Sequence, residues 1–150
     1  MSRRSSRATS RRPRSRSLPG PLSAASPCPC GLPAAYGACC GRFHSAAAAA
    51  PTAELLMRSR YSAFAVQDAA YLLRSWHPGT RPRTLDLDAD MRWQGLDILA
   101  TTEGSAFHTT GTVTFRAHYI HRGEPGDLHE QSRFARHEGA WAYLDAVFTR

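Results

Sequence analysis

The sequence predicts an α+β fold, with N-terminal helices packed on one face of an antiparallel sheet, preceded by a small cysteine-rich element and a basic tail. Three observations predict it. Apolar residues recur at three-and-four spacing between residues 52 and 76. From His108 on the period falls to two. All four cysteines of the 150-residue chain lie between residues 28 and 40. Helices first and strands afterwards is the order of α+β domains, whose helices gather on one side of the sheet.

Residues 1–26 form the tail. Seven arginines (Arg3, Arg4, Arg7, Arg11, Arg12, Arg14 and Arg16) fall in the first sixteen positions with no acid among them. The remaining chain has 12 arginines and 12 acids, so the net charge of +7 belongs to the tail alone. Every basic residue is arginine, a bias that GC-rich bacterial coding produces without any demand for guanidinium groups. Such a Ser/Arg/Pro-rich stretch buries too little surface to offset its ordering entropy and reads as disordered. No apolar run follows the arginines, so it fails as a secretory signal; its composition fits an organellar transit peptide. Two readings remain for it: an arm that grips nucleic-acid phosphates, or an extension without a role.

The cysteines follow in residues 27–44, spaced C-x-C, eight residues, then C-C, with His44 beyond. Four thiolates from Cys28, Cys30, Cys39 and Cys40 satisfy the tetrahedral demand of Zn2+, Gly31 permits the turn after the first pair, and a full ligand set makes the ion structural. Adjacent ligands require a sharp bend of the backbone between Cys39 and Cys40. Disulfides would suit a secreted domain, yet no export signal is present and the second half has no cysteine to staple. Free core thiols and a redox dithiol are the other accounts, and the first pair is C-x-C rather than the C-x-x-C usual for redox work.

Residues 45–52 read as a linker. A helix begins at Thr52 as N-cap, with Glu54 near the positive end of its dipole and one stripe of Leu56, Met57, Arg60, Tyr61 and Phe64. Asp68 caps a second helix that stops before Pro78. Residues 77–83 are a turn-rich connection. The stretch from Thr84 to Leu99 reads as partly helical before running into a strand. Val113, Phe115, Ala117 and Tyr119 then point one way and Thr112, Thr114, Arg116 and His118 the other. GEPGD (123–127) reads as a turn, and residues 129–137 and 140–148 as two strands about Glu138-Gly139.

The stretch CPCGLPAAYGACCG resembles the SEC-C motif, the zinc-binding element at the C-terminus of the SecA translocation ATPase, where it serves partner docking. Cys28, Cys30 and Cys39 match its three thiols, and Cys40 occupies the position that takes histidine or cysteine. His44 lies outside the pattern, as a surface histidine or one that supports the ligands. Leu32, Pro33 and Ala34 depart from the Ser and lysines common there. Further along, TAELLMRSRYSAFA, YLLRSWHPGTRP, RWQGLDIL and SRFARHEGAWAYLD resemble, in this order, the YchJ-type family of bacterial proteins over about residues 27–146. The resemblance implies a SEC-C element joined to a nuclear-transport-factor-2-like domain over residues 45–150, a curved sheet wrapped by helices into a cone. It argues against the transit peptide and brings no activity with it.

Asp86, Asp88, Asp90 and Asp97 fall at positions 1, 3, 5 and 12 of a calcium loop. Met91 stands where that loop needs glycine and Asp97 where it normally has Glu, so a solvated acidic turn is the better reading. The interior of the implied cone suits a small ligand, with Arg60, Tyr61, His77, Arg133 and Asp145 as the polar side chains that would reach it. His77 and Asp145 together would suit acid–base work. The simpler account pairs Arg58, Arg60 or Arg133 with Asp145 or Glu130 and gives His77 a loop carbonyl. Trp76, Trp93 and Trp141 are core or cavity-wall residues. No nucleophile elbow, phosphate loop or H-E-x-x-H pattern is present, and no residue is assigned a catalytic role.

Three functions follow as expectations. The first is a zinc-stabilised protein-interaction module, the second a small-molecule binder or enzyme using the cone, and the third a nucleic-acid partner gripped by the tail. An apolar fraction of 42% is enough for a core, and no apolar run approaches the ~18 residues of a membrane span. A soluble, cytoplasmic protein is expected, since thiolates stay available as ligands there. Two copies are expected to pair through the open, apolar face of the sheet.

Overall fold

The cysteine segment, the helices and the sheet follow one another along the chain and stack in that order in space. The computed structural model describes residues 22–149. The tail up to residue 21 lies outside them. Residues 22–26, which the sequence assigns to that tail, are instead part of the cysteine element. Ala24 and Ser26 accept hydrogen bonds through their carbonyls from the amides of Gly37 (2.9 Å) and Tyr36 (2.8 Å). A Cβ on Gly37 would stand 2.8 Å from that of Ala24, so only glycine lets the two segments approach this closely.

A single 3-10 turn (Tyr36–Ala38) leads into the short helix α1 (Cys40–His44). Helix α2 (Ala53–Val66) starts where the sequence places it, the Thr52 hydroxyl accepting from the Leu55 amide. It ends at Gln67 in the left-handed region. Asp68 caps α3 (Ala69–Arg74) by accepting from the Tyr71 amide. After α3 the chain is pinned to the sheet: Tyr143 donates its amide to Ser75 and accepts from His77.

The sheet is a meander of β1 (Met91–Glu103), β2 (Thr110–His121), β3 (Glu124–His137) and β4 (Ala140–Thr149), antiparallel throughout. Val113, Phe115 and Ala117 are buried on its inner face, as the alternation requires. Two-residue turns at Arg122-Gly123 and Glu138-Gly139, all four residues at positive φ, join the last three strands. Such turns match the natural twist of a hairpin.

Two expectations are corrected. The stretch expected to be partly helical has no helix, and from Met91 it is strand. Bulges between Trp93 and Gly95 and between Ile98 and Ala100 insert extra residues. They space the inward-facing Trp93, Leu96 and Ile98 by three and two, which blurs the strand period into a helical one. The second correction concerns GEPGD. The turn is Arg122-Gly123, and Glu124–Asp127 already belong to β3, Pro125 facing Ile120. Proline is tolerated there because β4 pairs with β3 only from Glu130 onward, leaving the first half of β3 an edge.

The outer face of the sheet also differs from expectation. It carries the pairs Asp97–His118 (2.7 Å), Arg116–Asp127 (3.0 Å) and Arg133–Asp145 (2.5 Å) beside the exposed Phe148, which packs edge-on against His129, so it is more polar than expected. Among the described residues no helix is long and apolar enough to cross a membrane.

Candidate metal centre

The C-x-C pair rides on a short hairpin. Pro27 bridges Ala35, the Cys28 amide donates to Ala34, and the Gly31 amide donates back to Cys28. Gly31, at φ 86°, supplies the left-handed turn that the sequence assigns to it. The C-C pair sits where the 3-10 turn meets α1. Cys39 there adopts φ −121°, ψ −116°, outside the helical and strand regions. This is the sharp bend that adjacent ligands require.

All four sulfurs are buried, unbonded thiols and lie within 4.8 Å of one another. Cys30 and Cys39 stand 3.6 Å apart. A tetrahedron with metal–sulfur bonds of about 2.3 Å has sulfur–sulfur edges of about 3.8 Å, so the cluster fits one tetrahedral ion. Its electrostatics fit as well. Hydrogen bonds from Cys30, then Cys40, drive the Cys28 thiol far below its ordinary value. Burial pushes Cys39 up to about 11, and hydrogen bonding with Cys28 and then Cys30 raises Cys40. A bound divalent ion would deprotonate the thiols it coordinates, because a coordinating thiol gives up its proton outright. The residues suit a soft or borderline ion and offer no oxygen ligand.

The cage is not a free knuckle. It rests on α2, where Ser59 and Ser62 are fully buried and small enough to admit it. The Cys28 sulfur lies 3.7 Å from the Ser62 hydroxyl, and Arg58 Nη1 donates to the Cys30 carbonyl at 3.0 Å. His44, outside the sulfur cluster, works as a clamp. Its Nε2 donates to the Ser59 carbonyl at 2.8 Å and its Nδ1 accepts from the Tyr36 hydroxyl at 2.5 Å. One neutral tautomer satisfies both bonds.

The other predicted sites fall elsewhere. Of the four acids Asp86, Asp88, Asp90 and Asp97, the last three pair separately with His121, Arg122 and His118, and Asp97 lies in β1 rather than in a turn. Of the side chains expected to reach an internal pocket, Arg60 and Tyr61 line a cavity of about 170 Å³ between α2 and the sheet. His77, Arg133 and Asp145 do not. Arg133 and Asp145 are cross-strand partners whose side chains point to the outer face, where they form a two-pronged ion pair. His77 sits beside His137 at the sheet margin, its Nδ1 accepting from the Gly79 amide. Among the described residues no His–Asp couple faces the cavity. Trp76 and Trp93 do line it, whereas Trp141 is buried and donates its Nε1 to the Pro51 carbonyl. Glu130 and Ser132 of β3 complete the wall. The inward set Leu128, Glu130, Ser132 and Phe134 was the available signal, masked by the polarity of its middle members.

Comparison with known proteins yields the same architecture. Residues 52–146 match the family model described as YchJ, middle NTF2-like domain. A UPF0225 protein of Streptomyces avermitilis is 64% identical over 139 residues, covering 93% of this chain and 96% of the relative. One from Streptomyces coelicolor is 67% identical over 122 residues, covering 81% and 95%. Among solved structures, a SEC-C motif containing protein from Rhodopseudomonas palustris superposes with a TM-score of 0.71 at 30% identity, covering 81% of this chain and 97% of that one.

Proposed function

The chain belongs to the YchJ family, NTF2-like over residues 52–146, and from that premise we propose that it is a zinc-braced protein-interaction module. Cys28, Cys30, Cys39 and Cys40 hold a structural Zn2+ with every coordination position filled by sulfur, leaving none for a substrate. The observation that carries this reading is the convergence of four buried, unbonded thiols within 4.8 Å, with no other ligand type among them. The ion's task is to hold the arc of residues 31–35 rigid, and Pro33, Ala34 and Ala35 on that arc face solvent. A SEC-C element docks partners at the end of SecA, and this arc takes the corresponding role here.

Elemental analysis of reduced, freshly purified protein tests the metal, with one zinc per chain expected and none in Cys28→Ser. Capture of partners by the intact protein and by Pro33→Asp tests the docking, because that exposed change leaves the cage alone. Identical partner sets for the two proteins would remove the interaction role and leave the metal site standing.

A further inference from the structure

We propose that the cavity between α2 and the sheet binds a small monocarboxylate with one ring-sized apolar body, its carboxylate held by Arg60 and the indole N–H of Trp76. The body of the cavity is apolar, walled by Met57, Phe64, Trp93, Phe115 and Leu128. A dry cavity of about 150 Å³ accommodates benzene, so about 170 Å³ accommodates a ring or a branched chain of similar bulk.

One end of this cavity is built differently. Arg60 is 3% exposed, and its guanidinium lies over the rings of Tyr143 (4.4 Å) and Trp76 (5.1 Å). Among the described residues its only hydrogen bonds are from Nη1, to the Leu72 carbonyl and the Ser75 hydroxyl, both 2.7 Å. Among the described residues no carboxylate forms an ion pair with it. Buried charges are ordinarily paired, because an uncompensated one is costly to hold away from water. Trp76 Nε1 is likewise buried and has no acceptor among the described residues, although a buried indole N–H usually finds one. A guanidinium that bonds only through Nη1 and an indole N–H without an acceptor therefore line the same cavity, and a planar carboxylate is the group a guanidinium fork matches best.

Glu130 lies on the same wall and does not compete for that position. Its two oxygens accept from the Ser132 hydroxyl (2.6 Å) and the Thr149 hydroxyl (3.1 Å). It offsets Arg60 from a distance, beyond ion-pair contact. Burial lowers Arg60 to about 10, which leaves it cationic at neutral pH. Burial raises Tyr61 and Tyr143 to about 12, so both phenols stay neutral. The cavity thus presents, at one end of a mostly apolar space, a guanidinium that has no carboxylate in ion-pair contact among the described residues. This inference stands apart from the metal reading, since neither Arg60 nor Trp76 hydrogen-bonds any of the four cysteines.

The test titrates the full chain with benzoate, 3-methylbutanoate and the neutral isostere benzamide, following the fluorescence of the cavity tryptophans and the thermal midpoint. Saturable binding of benzoate is expected, with benzamide weaker by about tenfold or more, the usual margin of a charge-assisted over a neutral hydrogen bond. Ala117→Leu fills the cavity from β2 without touching Arg60 and should abolish benzoate binding while leaving the circular dichroism unchanged. Trp76→Phe keeps the ring, removes the donor, and should weaken benzoate about fivefold. It decides the matter should Ala117→Leu not fold. No saturable binding of either acid, equal binding of benzamide, or undiminished binding by a folded Ala117→Leu or by Trp76→Phe would each overturn the proposal.

Discussion

Removing the metal should destabilise the whole domain and not only the cysteine element, because α2 is shared between them. The contacts that dock the element set the scale. Without the ion only a few backbone hydrogen bonds, such as those from Cys28 to Ala34 and from Gly31 to Cys28, hold the 28–40 segment together, too few to keep it docked on α2. The bonds from Arg58 to the Cys30 carbonyl and from His44 to the Ser59 carbonyl go with the ion. A charge-assisted hydrogen bond contributes about 1.5–3 kcal/mol and a neutral one about 1. Those two bonds alone therefore represent about 3 kcal/mol, before any apolar surface is counted. At about 3–4 °C per kcal/mol for a chain of this size, the thermal midpoint should fall by at least about 10 °C. Calorimetry on protein as purified, after chelation, and after return of zinc measures this directly. Hydrogen exchange should show α2 losing protection together with the hairpin. A midpoint unmoved by chelation, or a loss of protection confined to residues 23–45, would refute the claim that the cage braces the helix.

Two further outcomes follow from the same geometry. Ser62→Leu places a large side chain against the Cys28 sulfur; overpacking of this kind costs about 1–3 kcal/mol, and zinc retention against a competing chelator should fall with the midpoint. The Arg133 guanidinium holds the Asp145 carboxyl below its ordinary value of 3.8, so NMR titration should place its midpoint there and Arg133→Ala should bring it back. Because the folded value is the lower one, the pair's contribution is present above the ordinary carboxylate range and fades as pH falls through the folded value. The contribution should be small, since both partners are exposed to screening solvent.

Much of the fold could be read locally. Thr52 and Asp68 act as caps because each is a short oxygen-bearing side chain placed just before a helical stripe, a signal that needs no tertiary information. Val113, Phe115 and Ala117 alternate cleanly because β2 has a partner on each side over most of its length. What failed to read was non-local. The bulges in β1 are set by its register against β2, and the boundary of GEPGD is set by where β4 stops pairing. The four cysteines were visible as a set because one ion collects its ligands from a short segment. The cavity was not, since its polar end gathers Arg60, Trp76 and Glu130 from three separate stretches of chain.

Helix α2 shows why a periodicity argument reaches only half of such a structure. The stripe of Leu56, Met57, Arg60, Tyr61 and Phe64 describes a helix with one buried face, and the sheet covers that face. Yet Ser59 and Ser62 are also fully buried, on the side where the cysteine element sits. Serine carries no apolar signature, so a reading that looks for hydrophobic residues leaves that side to solvent. Its small size is what the site requires: a leucine at Ser62 would hold the sulfurs away from the helix, and an alanine at Ser59 would orphan the Tyr71 hydroxyl that it meets at 2.6 Å. A helix covered on both sides displays weak amphipathicity for that reason. The compact polar residues on its quiet face then become the informative ones, because they mark where another backbone comes close.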